Sequence, residues 1–108
     1  MSEPFLKIAD IEKRALFPGA TARFIHTERM TIAYWRFDPA VPIPEHAHPH
    51  EQVFNLLEGE FELTIGGETR RMEAGSAAVI APNVKHRGRS ISACTIVDVF
   101  CPVREDLK

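Results

Sequence analysis

The stretch EHAHPHEQ, residues 45–52, holds three of the chain's five histidines, closely preceded by Pro42 and Pro44. A buried imidazole needs a partner for each ring nitrogen, and a neutral one is a good metal ligand. His46 and His48 are two residues apart, so on an extended chain both rings point the same way. Gln52 follows four residues after His48, and His86 stands just after the turn signal Pro82-Asn83. Imidazole nitrogens and an amide oxygen together suit a borderline divalent metal. A lone His-x-His is a weak signal, and each of these histidines could instead be a surface or hydrogen-bonded residue.

A second chemistry lies near the C-terminus, in VDVFCPVRED at 97–106. On a strand, Ile96, Asp98 and Phe100 share one face, while Val97, Val99 and Cys101 share the other. A carboxylate on a strand that is apolar on both sides is costly unless paired, and burial raises its pKa toward acid–base use. Asp98 is therefore a functional candidate. The alternative is a structural ion pair, for instance with Arg104. Lys85, Arg87 and Arg89 flank His86 and form either a positive rim for an anion or a solvated turn.

These residues need a scaffold, and the scaffold reads as β. RMTIAYWRFD (29–38) is β-branched and aromatic, and it stops at Asp38-Pro39. EFELTI (60–65) alternates, with Phe61, Leu63 and Ile65 on one side. Gly66-Gly67 then offers a tight hairpin turn into ETRRMEAG (68–75). SAAVIA (76–81) and ISACTIVDVFC (91–101) are further strands, and only residues 7–16 hint at helix. Eight or so short strands predict a sandwich or a barrel, and the pattern alone does not choose.

With 108 residues the chain suits one domain, and 44% apolar content allows a core and argues against disorder. A net charge of −2 argues against a nucleic-acid footprint. The opening MSEPFLKIADIEKR has no basic-then-apolar leader, and no apolar run approaches the ~20 residues of a spanning helix. A soluble, cytoplasmic protein without membrane contact is expected. Cys94 and Cys101, without a CxxC, read as ordinary semi-buried thiols.

The constellation as a whole resembles the cupin superfamily. Its first motif corresponds to AVPIPEHAHPHEQVFNLLEG, from Ala40 to Gly59, and its second to GSAAVIAPNVKH, from Gly75 to His86. The resemblance runs roughly from residue 30 to 104. It implies an all-β, single-domain double-sheet β-barrel (jelly roll) whose interior holds a divalent transition metal on His46, His48, Gln52 and His86. Nickel, zinc, iron and manganese are not separated by this ligand type. His50 lies outside the motif's ligand positions and is expected beside the ligands or exposed, and His26 is expected to be structural. Ala40 and Asn83 stand where the motifs carry glycine, and the asparagine that often closes the second motif is missing. Gln52 replaces the usual glutamate. A neutral ligand set leaves the ion's charge uncompensated, which favours an anionic ligand and a polarising, Lewis-acid ion over a redox dioxygenase.

Together, EHAHPHEQ, the glutamine and the D-V-F-x-P-x-R-E-D ending resemble the pectin-degradation cupins of the KdgF type. Carried over by position, that branch implies catalytic roles for Asp98, Phe100 and Arg104. Asp98 would move protons, Phe100 would pack on the sugar ring, and Arg104 would clamp a carboxylate. The implied reaction converts 4,5-unsaturated monouronates to linear 4-deoxy-5-keto-uronates, so the partner is a small anionic sugar acid. A non-catalytic sugar-acid or metal-binding cupin would have no use for a buried acid at Asp98. A cupin dioxygenase or a sugar isomerase are further alternatives. Pairing through an edge or an outer sheet face, compatible with the strand at 91–101, makes a homodimer the expected assembly.

Overall fold

The structure, a computed structural model, describes residues 3–108. Among these residues ten strands follow one another: β1 (Arg14–Phe17), β2 (Ala20–His26), β3 (Thr31–Phe37), β4 (Pro42–His46), β5 (Glu51–Glu58), β6 (Glu60–Ile65), β7 (Glu68–Glu73), β8 (Ser76–Ile80), β9 (His86–Ser90) and β10 (Cys94–Cys101). They form a six-stranded sheet ordered β1-β2-β3-β10-β5-β8 and a four-stranded sheet ordered β4-β9-β6-β7, with every pairing antiparallel. This is the all-β, two-sheet barrel implied by the motifs. No helix among the described residues is long and apolar enough to cross a membrane.

The barrel closes because alternate residues of both sheets are apolar and face inward. β3 buries Thr31, Ala33, Trp35 and Phe37, and β10 buries Cys94, Ile96, Asp98 and Phe100. Across the barrel β6 contributes Phe61, wholly buried, whose ring meets Phe37 edge-on at 6.0 Å and Phe54 at 5.1 Å. Gly59 joins β5 to β6 at φ +90°, and a Cβ there would lie 2.2 Å from the Ala93 carbonyl oxygen, so no other residue fits without moving that backbone.

Ala40 and Asn83, where the motifs carry glycine, both adopt left-handed backbone, at φ 60° and 66°. The turns keep the conformation although the glycine is gone. Asparagine tolerates it, whereas alanine bears a steric cost of about 1–2 kcal/mol. Ala40 is held there by its amide, which donates to the Ser90 carbonyl, and by the neighbouring Val41 amide, which donates to Ser90 Oγ.

Three expectations need correction. The segment 7–16 is not a helix: it holds one 3-10 turn, Ile8–Asp10, and the start of β1. β1 and β2 pair with each other, and β2 pairs with β3, so the six-stranded sheet extends N-terminally beyond residue 30. Of the two cysteines, Cys94 is buried, with burial pushing its thiol pKa up, but Cys101 is exposed at the outer end of β10. Both are free thiols. His26 is structural as expected: its Nδ1 lies 2.8 Å from Thr31 Oγ1 and its ring stacks on Phe24.

Candidate metal centre and acid site

The barrel brings together residues that are forty positions apart. His46 ends β4 and His86 begins β9, and the two are direct partners across the four-stranded sheet. His48 lies in the short link between β4 and β5, and its carbonyl accepts from the Asn83 amide at 2.8 Å, which ties that link to the turn before His86. Gln52, on β5, comes from the opposite sheet. One coordinating atom from each of His46, His48 and His86 lies within 4.8 Å of the others.

Each imidazole is oriented by a local carbonyl. Nδ1 of His46 pairs with the Pro44 carbonyl at 2.9 Å, that of His48 with the His50 carbonyl at 3.0 Å, and that of His86 with the Val84 carbonyl at 2.9 Å. A carbonyl only accepts, so each Nδ1 carries the proton and each neutral ring keeps a lone pair on Nε2. The Nε2 of His86 is buried with no hydrogen-bond partner. His48 Nε2 stands 3.1 Å from Gln52 Oε1. These are two acceptors face to face, which is unfavourable unless a cation lies between them or the imidazole is charged. Burial lowers the pKa of His48, and Arg104 lowers it further, so the charged ring is disfavoured. His86 is lowered by burial as well. At 3.1 Å apart, both atoms could reach one ion at the usual ligand distance of about 2.1 Å. His46, His48, Gln52 and His86 therefore fit a divalent metal, by donor type, tautomer and spacing. His50 supplies a carbonyl to His48 Nδ1, placing it beside the ligands as expected.

Asp98 is buried on the inward face of β10. It does not pair with Arg104, the alternative weighed from sequence. Gln52 Nε2 donates to Asp98 Oδ1 at 2.8 Å. Burial pushes the Asp98 pKa up to about 7, against the opposing pull of the Gln52 amide, the nearby Trp35 indole and the Arg104 charge. Arg104 is bound by Asp106 instead, with Nε to Oδ1 at 2.9 Å and Nη2 to Oδ2 at 2.7 Å. Its guanidinium lies over the Phe100 ring, 4.7 Å from the centroid, and Phe100 meets His48 edge-on at 5.7 Å. Three of the five guanidinium N–H groups stay free of Asp106.

A cavity of about 220 Å³ opens between the sheets, lined by His46, Gln52, His86, Asp98, Phe100 and Arg104. Its remaining wall is largely aromatic and aliphatic, the usual make-up of a small-ligand site with a few placed polar groups. Arg87 reaches its edge, while Lys85 and Arg89 are exposed outside it. Sequence reasoning missed Trp35 and Leu107 on this wall and Asp106 behind Arg104. The acidic run at 105–106 was the available signal for Asp106. Trp35 gave none, because an inward tryptophan on a strand reads as core.

Comparison with known proteins agrees with this architecture. The cupin-domain family model matches residues 33–100, and the chain belongs to that family. KdgF from a Halomonas species superposes with a TM-score of 0.92 at 24% identity, covering 99% of this chain and all of that one. An RmlC-like cupin from Shewanella frigidimarina gives 0.93 at 27% identity over 99% and 97%. Uncharacterized protein SCO3923 of Streptomyces coelicolor is 25% identical over 91 residues, 83% of this chain and 87% of that one.

Proposed function

We propose that this cupin opens 4,5-unsaturated monouronates and ketonises them to linear 4-deoxy-5-keto-uronates. The observation that carries the reading is the buried carboxyl of Asp98, hydrogen-bonded to a metal-ligand candidate and facing a cavity with Arg104 and Phe100 on its wall. A binding protein has no use for such an acid, because it costs stability to bury. The similarity in fold to KdgF and the position-by-position match of Asp98, Phe100 and Arg104 support the same branch.

The substrate is an enol ether closed as a hemiacetal, with a carboxylate on C5. Asp98 takes the proton of the anomeric hydroxyl as general base. The C1–O1 bond becomes a carbonyl as the bond from C1 to the ring oxygen breaks, and that electron pair stays on the ring oxygen as an enolate. Asp98 then returns its proton to C4, which leaves a C5 ketone and a C4 methylene. One proton moves from O1 to C4, and no other reactant is consumed. Arg104 binds the substrate carboxylate with the N–H groups that Asp106 leaves free, and Phe100 excludes water from the ring. His46, His48, Gln52 and His86 would hold a divalent ion, whether nickel, zinc, iron or manganese, which would supply Lewis-acid stabilisation of developing negative charge.

The test follows the C4 vinyl proton of a fresh unsaturated uronate by NMR. Metal-replete protein is compared with chelated protein and with Asp98→Ala, because the monomer also opens slowly on its own. Faster loss of the signal than in both controls is expected. Equal rates in all three would leave the binding-protein reading, or another substrate at the same site, in its place.

A further inference from the structure

The chain has a single tryptophan, and its indole N–H makes no hydrogen bond, although it lies close enough to Asp98 to pull that carboxyl's pKa down. Trp35 is 9% exposed, and its Nε1–H is buried without a hydrogen-bond partner, a costly state for a neutral donor. Three phenyl rings fix the indole in place: Phe37 at 5.4 Å, Phe17 at 5.7 Å and Phe24 at 6.1 Å between centroids. Phenylalanine would serve that packing equally well, so packing does not explain the N–H.

Strand register explains where the donor points. On β3 and β10, Ala33 is the partner of Asp98 and Trp35 is the partner of Ile96. Trp35 and Asp98 are thus diagonal neighbours on the same inward face. Both residues line the cavity. The indole N–H is near enough to the carboxyl to act on its pKa without forming a hydrogen bond to it, and one carboxyl oxygen already accepts from Gln52. Gln52 is the partner of Phe100 on β10, two residues from Asp98 toward the histidines, whereas Trp35 lies two residues away on the other side. Asp98 is therefore flanked by the metal-ligand candidates on one side and by the neutral indole donor on the other.

We propose that the Trp35 indole N–H is a substrate-binding donor that holds the anomeric oxygen whose proton Asp98 removes. For the identity of that oxygen the inference rests on the ring-opening reading. For the existence of a sugar-hydroxyl donor it rests on the geometry alone. An N–H···O bond fixes one lone pair of O1 and turns the O1–H toward Asp98. It also stabilises the charge that O1 gains as the proton leaves.

One tryptophan means one indole N–H signal in an ¹⁵N-edited spectrum. Zinc-loaded wild-type protein is titrated with galacturonate, which has no double bond to turn over, and with its 1,5-anhydro analogue, which lacks O1. Galacturonate is expected to move the indole proton downfield and slow its exchange with water. The anhydro analogue is expected to shift the histidine ring signals and leave the indole unmoved. An indole that stays fixed while galacturonate saturates the histidine signals overturns the proposal, and so does a spectrum that galacturonate does not change. An indole that responds equally to both sugars overturns the assignment to O1. Trp35→Phe is expected to lose roughly threefold to tenfold in kcat with less change in KM. If wild-type protein fails to open unsaturated uronates but its indole answers galacturonate and not the anhydro sugar, the ring-opening reading falls and the donor stands.

Discussion

The amide of Gln52 faces two ways: Nε2 donates to Asp98 Oδ1 at 2.8 Å, and Oε1 stands 3.1 Å from His48 Nε2. This accounts for glutamine at a position where cupins usually carry glutamate. A glutamate could offer an oxygen to a metal, but it would set a second carboxylate against Asp98, and two carboxylates at that distance cannot both ionise. An amide can offer its oxygen to a metal and its N–H to Asp98 without taking up a proton.

Gln52→Glu is therefore expected to keep or strengthen metal binding, through the added negative charge, while turnover falls by about two orders of magnitude as the Asp98 proton becomes shared. Calorimetric metal titration beside the vinyl-proton assay separates the two effects. Tight binding with undiminished turnover would show that the amide has no part in setting the acid.

In chelated protein, Asp98 should make stability depend on pH with a definite sign. Its folded pKa, about 7, lies above the ordinary 3.8, so between these values the folded state binds the extra proton. Stability from this group is present below about pH 4 and is lost as pH rises toward 7. His48 and His86, lowered in the folded state, act oppositely and cost stability as pH falls through 6.5. The difference between wild type and Asp98→Asn isolates the carboxyl. Denaturant midpoints from pH 4 to 8 should show the variant gaining on wild type as pH rises.

Asp106 holds the Arg104 fork from behind, and the bond keeps the Asp106 carboxyl down at about 2. Arg104 is only 13% exposed in its side chain, so the pair holds a nearly buried guanidinium over Phe100. Asp106→Asn should raise KM for an anionic sugar about threefold to tenfold and change kcat less, since a positioning contact acts through binding. Steady-state kinetics gives both constants, and an unchanged KM would remove Asp106 from the site.

Ala40 stands at φ 60° and is exposed, so the strain has no compensating burial. Ala40→Gly is expected to raise stability by up to ~1 kcal/mol, the relief exceeding the added freedom of the unfolded chain. Thermal melting of the two proteins checks this.

The sequence by itself determined the strands that alternate cleanly, such as β6 with its Gly66-Gly67 turn, because strand period is a local property, and its motifs pointed to the four metal-ligand candidates through the family they resemble. It also marked Asp98, since a lone carboxylate among apolar residues stands out on any strand. It misread 7–16 because residues 14–16 open β1, whose pairing partner β2 lies across the Pro18-Gly19 turn and outside that segment. Only the tertiary structure decided what Asp98 pairs with, giving it Gln52 rather than Arg104, and set the Trp35 indole N–H beside it. Those relationships depend on the register of β3, β5 and β10, and register is set by the closure of the whole barrel and not by any one segment.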